Sequence, residues 1–127
     1  SRNKVYSAVN TEMLNLYWNI GKAIMEIQKG DERASYGDAV LEKLSEKLTN
    51  EFGKGFSKRN LERMRKFYIY FPISNNNLEK LDWDYYLELI KIKNCCLRMI
   101  YYKIAIFSEC DFDTFKSLLL EKNFFLN

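Results

Sequence analysis

Gly53–Pro72 reads G-K-G-F-S-K-R-N-L-E-R-M-R-K-F-Y-I-Y-F-P, and it carries its own start, face, charge and stop. Gly53 and Gly55 break whatever helix precedes them, because glycine alone enters positive φ without steric cost. Ser57 is an N-cap residue whose hydroxyl can accept from the free amides of the next turn. The helix then runs to about Phe71, and Pro72 prevents continuation. Leu61, Met64, Tyr68 and Phe71 fall on one stripe, with Phe67 beside it. Arg59, Arg63 and Lys66 lie opposite, and Lys58 and Arg65 flank them. Six cations (Lys54, Lys58, Arg59, Arg63, Arg65, Lys66) meet one acid, Glu62, a local charge of +5 in a chain of net +3. The rest of the chain is therefore slightly acidic, and the positive charge is concentrated on one helix and its turn.

Upstream, Val5, Val9, Met13, Leu16, Tyr17, Ile20, Ile24 and Ile27 recur at steps of three and four. They predict the buried face of a helix over residues 3–29, about 40 Å long. Gly21 inside it suits the close approach of another helix. Residues 30–37 read as a polar connector. A second helix is expected over about 38–52, with Val40, Leu41, Leu44, Leu48 and Phe52 inward and Lys43, Glu46, Lys47 and Glu51 in water. Helix, short glycine-containing turn and basic helix together form a helix-turn-helix pattern over about 38–72.

Downstream, Ile73–Asn77 has loop composition. Asp82 is an N-cap candidate for a helix from Trp83 to about Lys93, with Trp83, Tyr86, Leu87 and Ile90 inward. Asn94 caps a following helix to about Ser108, with Leu97, Ile100, Tyr101, Ile104 and Phe107 on its core side. Asp111 or Asp113 opens a last helix bearing Phe112, Phe115, Leu118 and Leu119, and the end from Asn123 reads as frayed. No segment alternates with period two. The expectation is an all-α chain of about six helices, one domain over 1–127, with C-terminal helices over about 82–122.

Composition narrows the function classes. The 127 residues hold no histidine and three cysteines, Cys95, Cys96 and Cys110, without metal-ligand spacing. A Ser-His or Cys-His nucleophile is excluded, and zinc is not expected. The cysteines read as reduced core thiols. The acid pairs Asp82/Asp84 and Asp111/Asp113 read as helix caps rather than metal ligands. No cofactor and no small-molecule substrate are expected. The most apolar run, Cys95–Phe107, is interrupted by Arg98 and Lys103 and is too short to cross a bilayer, so it reads as a buried helix. With no secretory signal pattern, the expected location is cytoplasmic. A chain that starts at Ser1 reads as a fragment or a processed form.

Several motifs together resemble the N-terminal domain of the YhcG-like proteins. They are L-Y-W-N-I-G at Leu16–Gly21, Y-G at Tyr36–Gly37, L-S-E-K-L at Leu44–Leu48, F-G-K-G-F-S-K-R-N-L-E-R-M-R-K-F-Y at Phe52–Tyr68, F-P at Phe71–Pro72 and L-D-W-D-Y-Y at Leu81–Tyr86. The resemblance covers about residues 5–93 and weakens after Asn94. It implies a helical DNA-binding domain that precedes a PD-(D/E)xK nuclease-superfamily domain. That superfamily's [D/E]-x-K motif is absent here: no Asp or Glu is followed two residues later by Lys. The chain is therefore expected to bind rather than to catalyse. The candidate DNA contacts are Lys54, Ser57, Lys58, Arg59, Asn60, Arg63, Arg65 and Lys66. Arg59 and Arg63 suit guanine and Asn60 suits adenine, and the lysines and Arg65 suit phosphates. Asn60 can instead complete the helix cap. The competing reading is a protein-interaction or homo-oligomerisation module. It draws on the long first helix and on Tyr68, Tyr70, Tyr85, Tyr86, Tyr101 and Tyr102, too many rings for a small core. Tyr17, Trp18 and Trp83 read as packing residues.

Overall fold

The computed structural model describes the backbone of residues 2–29, 34–72 and 81–126, and the side chains of 9–29, 37–72 and 81–121. Among these residues there are six helices and no strand: α1 (Arg2–Gln28), α2 (Ala34–Phe52), α3 (Lys58–Tyr70), α4 (Trp83–Leu89), α5 (Cys95–Phe107) and α6 (Phe112–Leu126). The chain is all-α. The Val5 side chain, residues 30–33 of the expected connector and the expected loop at Ile73–Asn77 lie outside the described residues.

Helix α3 packs chiefly along α1, and Gly21 is the point of closest approach. A Cβ there would lie 2.1 Å from the Met64 carbonyl oxygen and 3.0 Å from the Tyr68 Cβ, so only a hydrogen fits. This contact turns α1 only partly away from the orientation expected from its apolar stripe, of which Tyr17, Ile20 and Ile24 still pack on the core. The buried positions are Asn10, Leu14, Trp18, Gly21 and Ile24, whereas Val9, Leu16 and Ile27 are exposed. Two hydrogen bonds fix the rotation. Trp18 Nε1 donates to the Phe71 carbonyl at 2.8 Å, and Asn10 Nδ2 donates to the Leu81 carbonyl at 3.0 Å. Both bonds hold the chain where it leaves α3 and where it enters α4.

The core has two parts. One joins Ile24, Leu41, Leu61 and Met64 from α1, α2 and α3. The other gathers Leu14, Trp18, Phe67, Phe71, Tyr86, Leu89, Ala105, Phe115 and Leu119 around α1, α3 and the last three helices. Tyr17 touches both. The second part is strongly aromatic. Phe67 meets Trp83 at 5.0 Å and Tyr86 at 4.8 Å, and Phe71 meets Tyr86 edge-on at 5.2 Å. Such tilted pairs add to plain area burial. The six tyrosines counted as surplus all pack on this part, and Tyr86 is fully buried.

Four further expectations are corrected. Helix α2 begins at Ala34 rather than near Asp38 and takes in Gly37, where a Cβ would come within 3.1 Å of Gln28 Nε2 at the end of α1. Gly37 is thus a close-approach glycine inside α2 rather than the end of the connector. Helix α4 stops at Leu89 instead of Lys93. Ile90 and Ile92 are both buried while Lys91 and Lys93 are exposed, a period of two that no helix provides. Helix α5 is not a buried helix: Cys95, Cys96, Met99, Ile100 and Phe107 are exposed, so those two cysteines are not core thiols. Its buried positions are Arg98 and Ala105. Helix α6 continues to Leu126 rather than fraying from Asn123.

Candidate nucleic-acid interface

The turn between α2 and α3 is built as its sequence requires. Gly53 and Gly55 have φ of +87° and +109°, and space is open around both, so conformation rather than crowding demands glycine. Ser45 Oγ on α2 donates to the Phe56 carbonyl at 2.7 Å, tying the turn back to the preceding helix. The Ser57 hydroxyl caps α3 by accepting from the Asn60 amide at 3.2 Å.

From this fixed start α3 turns Leu61, Met64 and Phe67 inward, and its outer face follows. Arg59 and Lys66 are exposed and Arg63 is half-buried. Lys54 is exposed on the turn. Among the described residues, Lys54, Arg59 and Lys66 form no ion pair. Arg63 Nη1 donates to Asn60 Oδ1 at 2.9 Å, and Asn60 Nδ2 donates to the Gly55 carbonyl at 3.3 Å. Asn60 therefore links turn and helix and orients the guanidinium.

Other expected contacts have partners within the protein. Lys58 lies 3.3 Å from Asp38 and 3.7 Å from Glu42 on α2, and its hydrogen bond to Asp38 raises the pKa of its ammonium group against a smaller desolvation effect. Arg65 leans toward α1, with Nη1 3.9 Å from Met25 Sδ and a buried Nε. The free outer face is thus narrower than the six cations suggest.

One cation joins the site from elsewhere. Arg59, Glu62, Arg63 and Lys66 of α3 face Leu87, Ile90 and Lys91 across a cleft of about 230 Å³. Lys91 follows α4 in the turn and pairs with Glu88 at 3.2 Å. Sequence reasoning missed it because Lys91 lies far from the basic run. Its signal was the alternation Ile90-Lys91-Ile92-Lys93, which buries the isoleucines and turns the lysines out. Of the two acid pairs expected to cap helices, only Asp111/Asp113 supplies a side-chain cap bond. Asp111 Oδ1 accepts from the Thr114 amide at 2.8 Å, which lowers its carboxyl pKa. Asp82 stands at the α4 N-cap without a side-chain cap bond, and burial, then Asp84, raise its pKa. No helix among the described residues is long and apolar enough to cross a membrane.

The family description "DUF1016 N-terminal domain" matches residues 1–125. The chain belongs to that family. Its match runs well past Asn94, so the weaker resemblance there is variation within the family and not its edge. The chain is also similar to the Escherichia coli (strain K12) protein named "Putative nuclease YhcG", at 39% identity over 72 residues. That alignment covers 56% of this chain and 19% of the relative, so the chain spans under a fifth of the length of the curated protein it matches. No solved structure matches significantly.

Proposed function

We propose that this chain is the nucleic-acid-binding part of a nuclease-related protein, and that it contacts duplex DNA through the outer face of α3. The observation that carries the reading is the set Arg59, Arg63 and Lys66, aligned on one face, two of them exposed and without an acidic partner among the described residues. In this reading α2, the glycine turn and α3 act as a helix-turn-helix unit, with Lys54 on the adjoining turn. Lys58 and Arg65 contribute less because Asp38, Glu42 and Met25 already engage them. The chain positions DNA, and cleavage chemistry belongs to the remainder of a longer protein. A cytoplasmic location goes with that role.

The test is binding of labelled random duplex across a salt series, wild type beside Arg59→Glu/Arg63→Glu. Affinity that falls steeply with salt and is lost in the still-helical double variant is the expected outcome. Absence of binding by folded wild type at low salt overturns the reading.

A second reading has its own observation. Val9, Met13, Leu16, Ile20, Ala23 and Ile27 alternate steps of four and three along α1; Val9, Leu16, Ala23 and Ile27 are exposed, while half-buried Ile20 also packs against the protein's own core. That spacing is the seam of a two-helix coiled coil, and a second copy of α1 supplies a matching seam. Leu16→Glu is expected to convert a dimer to a monomer in light scattering and leave a monomer unaffected. A monomeric wild type at high concentration removes this reading. It leaves the DNA reading untouched.

A further inference from the structure

The cleft between α3 and the α4 turn adds something the basic helix alone does not imply. Its rim carries Arg59, Arg63 and Lys66 on one side and Lys91 on the other, while half-buried Leu87 and the edge of Ile90 supply an apolar lining. The exposed Lys91 ammonium pairs with Glu88 at 3.2 Å and would have to share or exchange that carboxylate for a phosphate. A helix read from the major groove stands out as a ridge, but here α4 and its turn wall one flank of α3. At about 230 Å³ the cleft lies below the roughly 300–1,000 Å³ usual for small-molecule sites. It suits one unit of a polymer better than a whole free ligand. Glu62 also lines it, and a carboxylate there opposes a doubly charged terminal phosphate more than a singly charged diester. Arg63 is already oriented: one amine of its guanidinium is held by Asn60 at 2.9 Å, and its other donors stay available.

We propose that this cleft grips one sugar-phosphate strand of DNA, with a phosphodiester between Arg63, Lys66 and Lys91 and the adjoining sugar against Leu87 and Ile90. The inference rests on the DNA-binding reading and alters its content: the cations hold backbone and read no base sequence. Lys91, outside the helix-turn-helix pattern, becomes a binding residue.

The experiment measures anisotropy of the 127-residue chain with several fluorescent duplexes of unrelated sequence, each across a salt series, for wild type, Lys91→Ala, Lys91→Glu, Lys93→Glu and Arg59→Glu. Lys93 is exposed and does not line the cleft, so it controls for general charge. Far-UV circular dichroism verifies folding. Lys91→Glu is expected to weaken every duplex by a similar factor, about tenfold, with Lys93→Glu nearly silent. Lys91→Ala is expected to reduce the slope of log K against log salt by about 0.9. Inorganic phosphate and mononucleotide, added as competitors, are expected to displace duplex poorly. Equal losses in Lys91→Glu and Lys93→Glu overturn the proposal, as does a strong sequence preference in wild type. Loss in Arg59→Glu with none in Lys91→Glu overturns the cleft and leaves DNA binding by α3 standing. No binding by wild type overturns both.

Discussion

At the scale of single residues, Gly21 and Tyr86 show how little freedom the packed interior leaves. Replacing glycine by alanine within a helix ordinarily stabilises it by up to ~1 kcal/mol. At Gly21 the added Cβ would sit 2.1 Å from a backbone oxygen of α3, and that oxygen cannot move without shifting the helix. Gly21→Ala is therefore expected to destabilise the protein by about 3 kcal/mol, read as a lower urea midpoint. Tyr86 makes a pH prediction. Burial, then Tyr102, whose hydroxyl shares a hydrogen bond with it, push the Tyr86 phenol well above its ordinary range. A folded-state pKa above the unfolded value near 10 means the contribution is fully present below about pH 10 and is lost as pH rises further. Lysines titrate in the same interval, so the comparison has to be with Tyr86→Phe. Thermal midpoints of wild type are expected to fall faster than those of Tyr86→Phe as pH rises above about 10. Parallel curves would show that ionisation of this phenol does not limit alkaline stability.

At the scale of elements, local signals were legible and choices between competing faces were not. The caps of α3 and α5 could be read from Ser57 and Asn94 because each accepts an amide three residues on, a contact internal to the chain segment. The all-α class, the glycine turn and the inward Leu61, Met64 and Phe71 followed from equally local patterns, whereas Phe67, expected beside the stripe, is fully buried and Tyr68, expected on it, is half-buried. Helix α1 was placed correctly, and its inward face was read in part: Tyr17, Ile20 and Ile24 pack on the core as expected, whereas Val9, Leu16 and Ile27 are exposed and Leu14 and Trp18 are buried in their stead. Its sequence carries two apolar stripes, and only Gly21 against Met64 and Trp18 against Phe71 decide between them. Those partners lie on α3 and beyond. The candidate site behaved likewise. The sequence marks every cation of α3, but the pairing of Lys58 with Asp38, the turn of Arg65 toward Met25 and the arrival of Lys91 are tertiary facts. Helix α5 supplies the clearest case and a prediction. Arg98 interrupts an apolar run, yet it is buried, donates to the Ile92 carbonyl at 2.6 Å and stacks 3.9 Å from the centre of the Tyr70 ring. It satisfies a backbone acceptor left free where α4 gives way to the connector. Arg98→Ala is expected to cost about 2–3 kcal/mol, and Arg98→Lys to recover only part, since an ammonium loses the planar stacking. Urea unfolding of both variants checks this; full recovery by lysine would mean that charge alone matters there.

At the scale of the whole molecule, the question is whether two core parts act as one. We propose that residues 1–127 unfold as a single unit, and the arrangement of α3 is the reason. Leu61 and Met64 belong to one part, Phe67 and Phe71 to the other, and Tyr17 on α1 touches both. Neither part can open without exposing one side of the same two helices. The probes are well placed to test this. Trp18 and Trp83 both report the aromatic part, whereas far-UV circular dichroism reports every helix, including α2, whose core contacts lie in the other. Coincident urea transitions by fluorescence and dichroism are the expected result. Phe67→Ala removes a ring that meets Phe71, Trp83 and Tyr86, and it is expected to lower stability by about 3–5 kcal/mol and move both transitions together. A variant whose fluorescence transition moves while α2 melts at its former midpoint would show two units. In that case the basic face of α3 would straddle their junction, and DNA held there would be expected to draw the two transitions back together.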